Sequence, residues 1–179
     1  MDKIMSEQVD TAEVMPLISI ISSDDELRNE AEISLESYFG KAGLVSELFE
    51  FDLSDYYQDE MGAELTRRWY SYEVLKDASL LVEWKHVCVE IENSLLDTAG
   101  NRRVNIDPGY LDHGKLVLAS CKAAPDKIYM GNGVFAHICL QYKKGEFHGP
   151  EHSFADFIDG RFDEFFRSAK QLLKQLLKG

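Results

Sequence analysis

Apolar positions along this chain change period from about two to about 3.6 and back, and each change marks an element. Pro16-Leu17-Ile18-Ser19-Ile20-Ile21 is a short β-rich run and predicts a buried first strand. Ser23-Asp24-Asp25-Glu26 follows at once as a Ser-x-x-Glu capping box. The helix it opens places Leu27, Ala31, Leu35 and Tyr38 on one stripe and stops at Gly40. Residues 44–51 alternate loosely and predict a second strand; residues 66–75 predict an aromatic-rich third. Asp77 then caps a long helix in which Leu80, Leu81, Trp84, Val87, Cys88, Ile91 and Leu95 recur at helical spacing.

Four short strands are expected next, over residues 102–106, 115–121, 127–130 and 134–142. Turns at Asp107-Pro108-Gly109, Ala124-Pro125-Asp126 and Gly131-Asn132-Gly133 separate them, the last being the strongest hairpin signal. Ile158, Phe162, Phe165, Phe166, Ala169, Leu172, Leu173 and Leu176 then form an amphipathic C-terminal helix. The order is β-α-β-β-α-β-β-β-β-α. It predicts an α+β fold, a largely antiparallel or mixed sheet covered by three main helices. No linker divides the chain, so residues 16–179 are expected to form a single domain behind a flexible N-terminal segment, residues 1–15.

Composition agrees with a packed domain, since 45% of the 179 residues are apolar. Charge narrows the function further. With 32 acidic against 19 basic side chains the net charge is −13, which argues against general nucleic-acid binding and against anionic membranes. A small anion held by a few local arginines remains compatible. The first fifteen residues hold no apolar stretch of signal-peptide length, and no run is long enough to span a membrane. A cytoplasmic chain is expected. Cys88, Cys121 and Cys139 form no Cys-x-x-Cys pair and sit in apolar patterns, so buried, reduced thiols are expected.

Several chemistries are excluded by motif. Gly131-Asn132-Gly133 lacks the Walker lysine-serine pair and a following helix, and neither a Rossmann fingerprint nor Gly-x-Ser-x-Gly is present. Three polar clusters remain. In the stretch from Asp52 to Gly62, Asp55 and Glu60 are candidates for a hard cation or an acid–base pair, beside Tyr56 and Tyr57. The same stretch reads equally as a solvated acidic loop with its tyrosines lying over the core. In the second cluster, alternation places Arg103, Asn105 and Asp107 on one strand face, opposite Val104 and Ile106. That stripe suits a polar ligand, while Asp107-Pro108-Gly109 reads equally as a type II turn. The third, His148-Gly149-Pro150-Glu151-His152, has a ligand-like spacing, but Gly149-Pro150 forbids the helix a zinc pair would need. No metal ligand is assigned. His137 reads as a structural histidine within a strand, and Arg67-Arg68 as a solvated edge-strand pair.

Some strings occur together in a recognisable way. Ser54-Asp55-Tyr56-Tyr57 with Glu60-Met61-Gly62, Val104-Asn105-Ile106-Asp107-Pro108-Gly109-Tyr110-Leu111, Lys115-Leu116-Val117-Leu118-Ala119-Ser120 with Lys122, and Ile128-Tyr129 resemble the prokaryotic domain-of-unknown-function family 4416. The resemblance runs from Pro16 to the C-terminal helix. Members are often labelled GTP-binding proteins, so it implies a small polar or nucleotide-like ligand. It raises Asp55, Glu60 and Asp107 as candidate catalytic groups. Tyr56, Tyr57, Asn105, Tyr110, Lys122, Tyr129 and Asp156 become candidate ligand contacts, beside Arg103 from the polar strand face.

The chain also departs from the family pattern. Asp126-Lys127-Ile128-Tyr129 stands for His-Arg-Ile-Tyr, Phe135-Ala136-His137 for Tyr-Ala-Glu, and Ile158 for an arginine near the end. Isoleucine cannot make the bidentate anion contact of arginine. These changes mark a divergent member. They support an alternative function, a non-catalytic protein-interaction domain that has lost an ancestral site. No cofactor is assigned.

Overall fold

The first strand, β1 (Met15–Ser22), is buried along all eight residues, and the rest of the fold is arranged about it. It pairs antiparallel with β4 (Thr66–Tyr72) on one side and β5 (Val104–Leu111) on the other. The computed structural model describes residues 13–52 and 57–179, with only the backbone of Gln58 and Asp59. Among these residues the remaining strands are β2 (Ala42–Val45), β3 (Phe49–Glu50), β6 (Lys115–Ser120), β7 (Ile128–Gly131), β8 (Val134–Lys143) and β9 (Glu146–His148). All nine join one antiparallel sheet of order β2-β4-β1-β5-β6-β8-β7, with β3 added to β4 and β9 to β8.

Helices cover both faces. Alternation along β1 sends Ile18 and Ile20 to one face, where they meet Ala31 and Leu35 of α1 (Asp25–Phe39). After the single turn α2 (Gln58–Met61), α3 (Leu81–Ser94) adds Trp84 and Cys88 to that layer. Leu17 points the other way, with Trp69 and Leu118, toward α4 (Ala155–Ile158) and α5 (Asp163–Leu176). There the Trp69 ring lies between 5.2 and 6.4 Å from Phe157, Phe162, Phe165 and Phe166. The fold is α+β, as the element order predicts. No helix among the described residues is long and apolar enough to cross a membrane.

Several local expectations are corrected. The N-cap of α1 is Asp24, whose carboxylate accepts from the Glu26 and Leu27 amides; the Ser23 hydroxyl donates instead to the Met61 carbonyl. Tyr38 is exposed and Phe39 takes the buried place. β1 opens at Met15 rather than Pro16, and Val14 bridges to Lys76. Residues 44–51 supply two short strands, not one. The C-terminal helix is divided at Gly160, whose φ of 85° is left-handed. β9 was not foreseen; Lys144 and Gly145 both have positive φ and make the tight turn into it. Cys121 is exposed. Arg67 and Arg68 lie on β4, inside the sheet between β1 and β2, not at an edge.

The largest correction concerns Asp107-Pro108-Gly109, which is strand interior and not a turn. These residues face Ser19, Ile18 and Leu17 of β1. A proline is tolerated there because of what happens two residues earlier. The Ile106 amide donates to Glu92 Oε1 (2.5 Å) and its carbonyl accepts from Lys85 Nζ (2.7 Å), so both point away from β1. Pro108 shares that parity, and β6 pairs with β5 only over Gly109–Leu111. The missing N–H therefore faces a stretch with no strand partner.

Gly109 is required for a different reason. A Cβ there would lie 2.2 Å from the Val117 carbonyl oxygen and 2.4 Å from Leu118 Cδ2. Gly109→Ala is expected to cost about 2–3 kcal/mol in urea unfolding, because backbone must move to admit the methyl. A loss below about 0.5 kcal/mol would show that the two strands can part freely.

Candidate functional site

On the α4 side of the sheet, a cavity of 490 Å3 lies over the region where β5 and β6 separate. Its floor comes from four strands of the sheet: Arg67 on β4, Asp107 on β5, Ser120 on β6 and His137 on β8. Lys122 and Lys127 line one wall from the β6–β7 connection, and Asp156 of α4 lies on another. Phe51, Tyr57, Phe154 and Phe157 supply aromatic surface.

One buried ion pair and one buried lysine shared by two carboxylates organise the polar groups. Arg67 Nη1 lies 2.5 Å from Asp156 Oδ2. Its guanidinium also sits 4.9 Å from the Phe51 ring centre and 5.7 Å from those of Phe157 and Phe162. Delocalised guanidinium suits this aromatic cage better than a compact ammonium would. On the other side, Lys85 of α3 reaches past the open edge of β5. Its Nζ is 3.4 Å from Asp107 Oδ1 and 3.8 Å from Glu92 Oε1, while Asp107 Oδ2 accepts from Asn105 Nδ2 at 2.7 Å.

The two cavity carboxylates are thereby pushed apart. Burial works against ionisation of Asp107, but the Lys85 and Arg67 charges and the Asn105 hydrogen bond hold it below the usual carboxylate range. Asp156 moves the other way, because burial outweighs the pull of Arg67. Its Oδ1 has no hydrogen-bond partner among the described residues. Lys85 is held protonated above the usual lysine range: burial opposes this, and the Asp107 and Glu92 charges prevail. Opposed shifts of this kind separate an ionised carboxylate from one ready to carry a proton.

His137 is 6% exposed, and neither ring nitrogen has a hydrogen-bond partner among the described residues. Burial first, and the Lys127 charge second, push it down to about 4, so the ring is neutral at neutral pH. Phe154 lies edge-on to it at 5.7 Å. The Tyr57 phenol is pushed up to about 12, by burial and by the Asp107 charge, and Lys122 Nζ lies 5.0 Å from its ring centre. Among the described residues no group of three or more His, Cys, Asp and Glu is placed to hold a metal ion.

Comparison with known families matches residues 12–172 to the model described as Domain of unknown function (DUF4416). The chain belongs to the DUF4416 family. No curated protein and no solved structure matches it. Every cavity residue named above lies within the stretch that matches DUF4416. Of the positions that depart from the family strings, Asp126, Lys127 (an arginine in the family string) and His137 line the cavity, and Ile158 is exposed outside it.

Four of the residues singled out from sequence, Tyr57, Asp107, Lys122 and Asp156, meet at this cavity. Asn105 is buried behind Asp107 and also accepts from Arg102 Nη1 at 2.8 Å. The others lie elsewhere. Glu60 forms a 2.8 Å ion pair with Arg102, whose hydrogen bond holds it below the usual carboxylate range. Arg103 turns to Asp24, 3.4 Å away. Tyr110 packs against the α1–α3 core, and Tyr129 is exposed on β7 beside Phe135. Asp55 and Tyr56 fall outside the described residues.

Sequence reasoning missed Lys85, Glu92 and Lys127, and set Arg67 and His137 aside. One signal was available: Lys85 and Glu92 share the α3 stripe of Leu81, Trp84 and Cys88, all five being buried. A charged residue on an apolar helical stripe needs a partner across the interface.

Proposed function

We propose that this DUF4416 domain binds a small polar, nucleotide-like ligand in the 490 Å3 cavity. One observation carries the reading. Arg67, Asp107, His137 and Asp156 come from three strands and a helix, yet line one cavity. Its volume lies in the range of small-ligand sites, and a few polar groups converge within a mostly apolar and aromatic lining. Neutral His137 offers one donor and one acceptor to a heteroaromatic edge, the aromatic walls offer stacking, and Lys122 offers charge to an anion.

A thermal-shift series with nucleoside mono-, di- and triphosphates, each with and without Mg2+, tests this. A ligand near 100 times its Kd should add about 2.7 kcal/mol, a rise of about 5–10 °C for a chain of this size. Asp107→Asn keeps the shape but removes the charge, and should abolish the shift. No shift with any compound, or a shift unchanged by Asp107→Asn and Lys122→Ala alike, would sink the reading.

A second reading is favoured by a separate observation. β7 ends the main strand order, and its Ile128, Tyr129 and Met130 are 65%, 61% and 44% exposed. Such an edge suits a protein-interaction role.

A further inference from the structure

We propose that Ser120 and Lys127 form a nucleophile–base pair that lets the cavity take an acyl group from a small ester or amide. This rests on the cavity being a small-ligand site, but it uses residues other than those that carry that reading.

The geometry is local and specific. Ser120 ends β6 and Lys127 precedes β7, and both line the cavity. The connection folds back on itself, the Lys127 amide donating to the Ala124 carbonyl at 3.1 Å. This return brings Lys127 Nζ to 3.0 Å from Ser120 Oγ. The Lys122 amide donates to the same oxygen at 3.1 Å and fixes it from a second direction. A hydroxyl within hydrogen-bond reach of an amine is the arrangement by which Ser–Lys enzymes activate serine, and it is recognised by geometry rather than by a Gly-x-Ser-x-Gly string.

The surroundings favour the unprotonated amine. Burial pushes Lys127 below the usual lysine range; Asp126 and Asp107 pull against this, and Lys122 reinforces it. The nearby His137 ring is neutral and adds no charge of its own. A lysine that spends more of its time unprotonated is able to accept the serine proton.

The reaction balances without any further reagent. Ser120 Oγ bonds to the acyl carbon, the carbonyl π pair moves onto oxygen, and the serine proton passes to Lys127 Nζ. Collapse breaks the bond from carbon to the leaving oxygen or nitrogen, which takes that proton from Lys127. Water then adds to the Ser120 ester and gives a proton to Lys127. The Oγ–carbon bond breaks, Oγ regains the proton, and a carboxylic acid leaves. Phe51, Phe154 and Phe157 favour an acyl group with a flat or apolar body.

The test treats the full chain with a fluorophosphonate, a serine-directed acyl-transfer probe, followed by intact mass and peptide mapping. Cys121 is exposed beside Ser120, so the background is Cys121→Ala. One adduct on Ser120 is expected, absent in Ser120→Ala. Lys127→Met should slow labelling about 100-fold or more. Lys127→Arg keeps a cation and a donor but cannot accept a proton, so it should not rescue. No adduct, an adduct elsewhere, or full rescue by arginine would overturn the pair. The two proposals separate cleanly. Labelling of Ser120 without any nucleotide shift supports the pair and counts against the nucleotide-like ligand; a shift in a chain that does not label does the reverse.

Discussion

Lys85→Met is expected to lower folding stability by about 3–5 kcal/mol, the range found when one partner of a buried ion pair is removed. Methionine keeps most of the apolar stem, so lost packing contributes little. The cost arises from what is left behind. Lys85 is 4% exposed and faces Asp107, Glu92 and the Ile106 carbonyl. Without it, Asp107 and Glu92 lose the cation they share and the Ile106 carbonyl loses its donor, all in a poorly solvated place where only Arg67 and Arg102 still act on the carboxylates. A further variant isolates that cause. Adding Glu92→Gln and Asp107→Asn to Lys85→Met removes the orphaned charges, and should recover at least half of the loss. Urea unfolding measures all three proteins. A loss below about 1 kcal/mol for Lys85→Met, or no recovery in the triple variant, would mean that the charges are solvated.

Acidification supplies the second large effect. Burial holds His137 near 4 in the folded state, whereas the unfolded ring titrates near its ordinary 6.5. A depressed histidine contributes fully above 6.5, and the contribution falls as the unfolded chain takes up a proton the folded chain refuses. Between pH 7 and pH 4.5 the loss assignable to His137 is about 2 kcal/mol. Asp156 and Glu92 have raised values and act in the opposite sense, since the folded state takes up their protons first. The measurement is therefore a difference. Wild type and His137→Gln are unfolded in urea at both pH values, and wild type should lose about 2 kcal/mol more. Equal losses would show that His137 is protonated as readily folded as unfolded.

What the sequence disclosed and what it concealed follow one rule, the range over which each residue finds its partner. The α1 stop at Gly40, the α3 stripe and the β7–β8 hairpin at Gly131-Asn132-Gly133 depend on neighbours a few residues away, and all were legible. The Pro108 strand was misread because its tolerance depends on side chains of α3 and on where β6 departs. Arg67 was misread because its carboxylate, Asp156, lies 89 residues onward. His137 offered only a lone histidine between apolar residues, which nothing local separates from an ordinary core position. The family strings pointed to Asp107 and Lys122, while the cationic and neutral groups facing them had no such signal.

The central position of β1 has a consequence for synthesis. This strand emerges from the ribosome before both of its partners, β4, ending at Tyr72, and β5, ending at Leu111. At roughly 5–20 residues per second, Leu17, Ile18, Ile20 and Ile21 wait on the order of ten seconds for the second of them. Over that interval the most deeply buried segment of the finished domain is an uncharged β-former with at least one edge unpaired, the kind of segment that aggregates when left exposed. The nascent chain is therefore a natural client for whatever shields apolar segments at the ribosome exit, until residue 111 appears and both edges of β1 are paired.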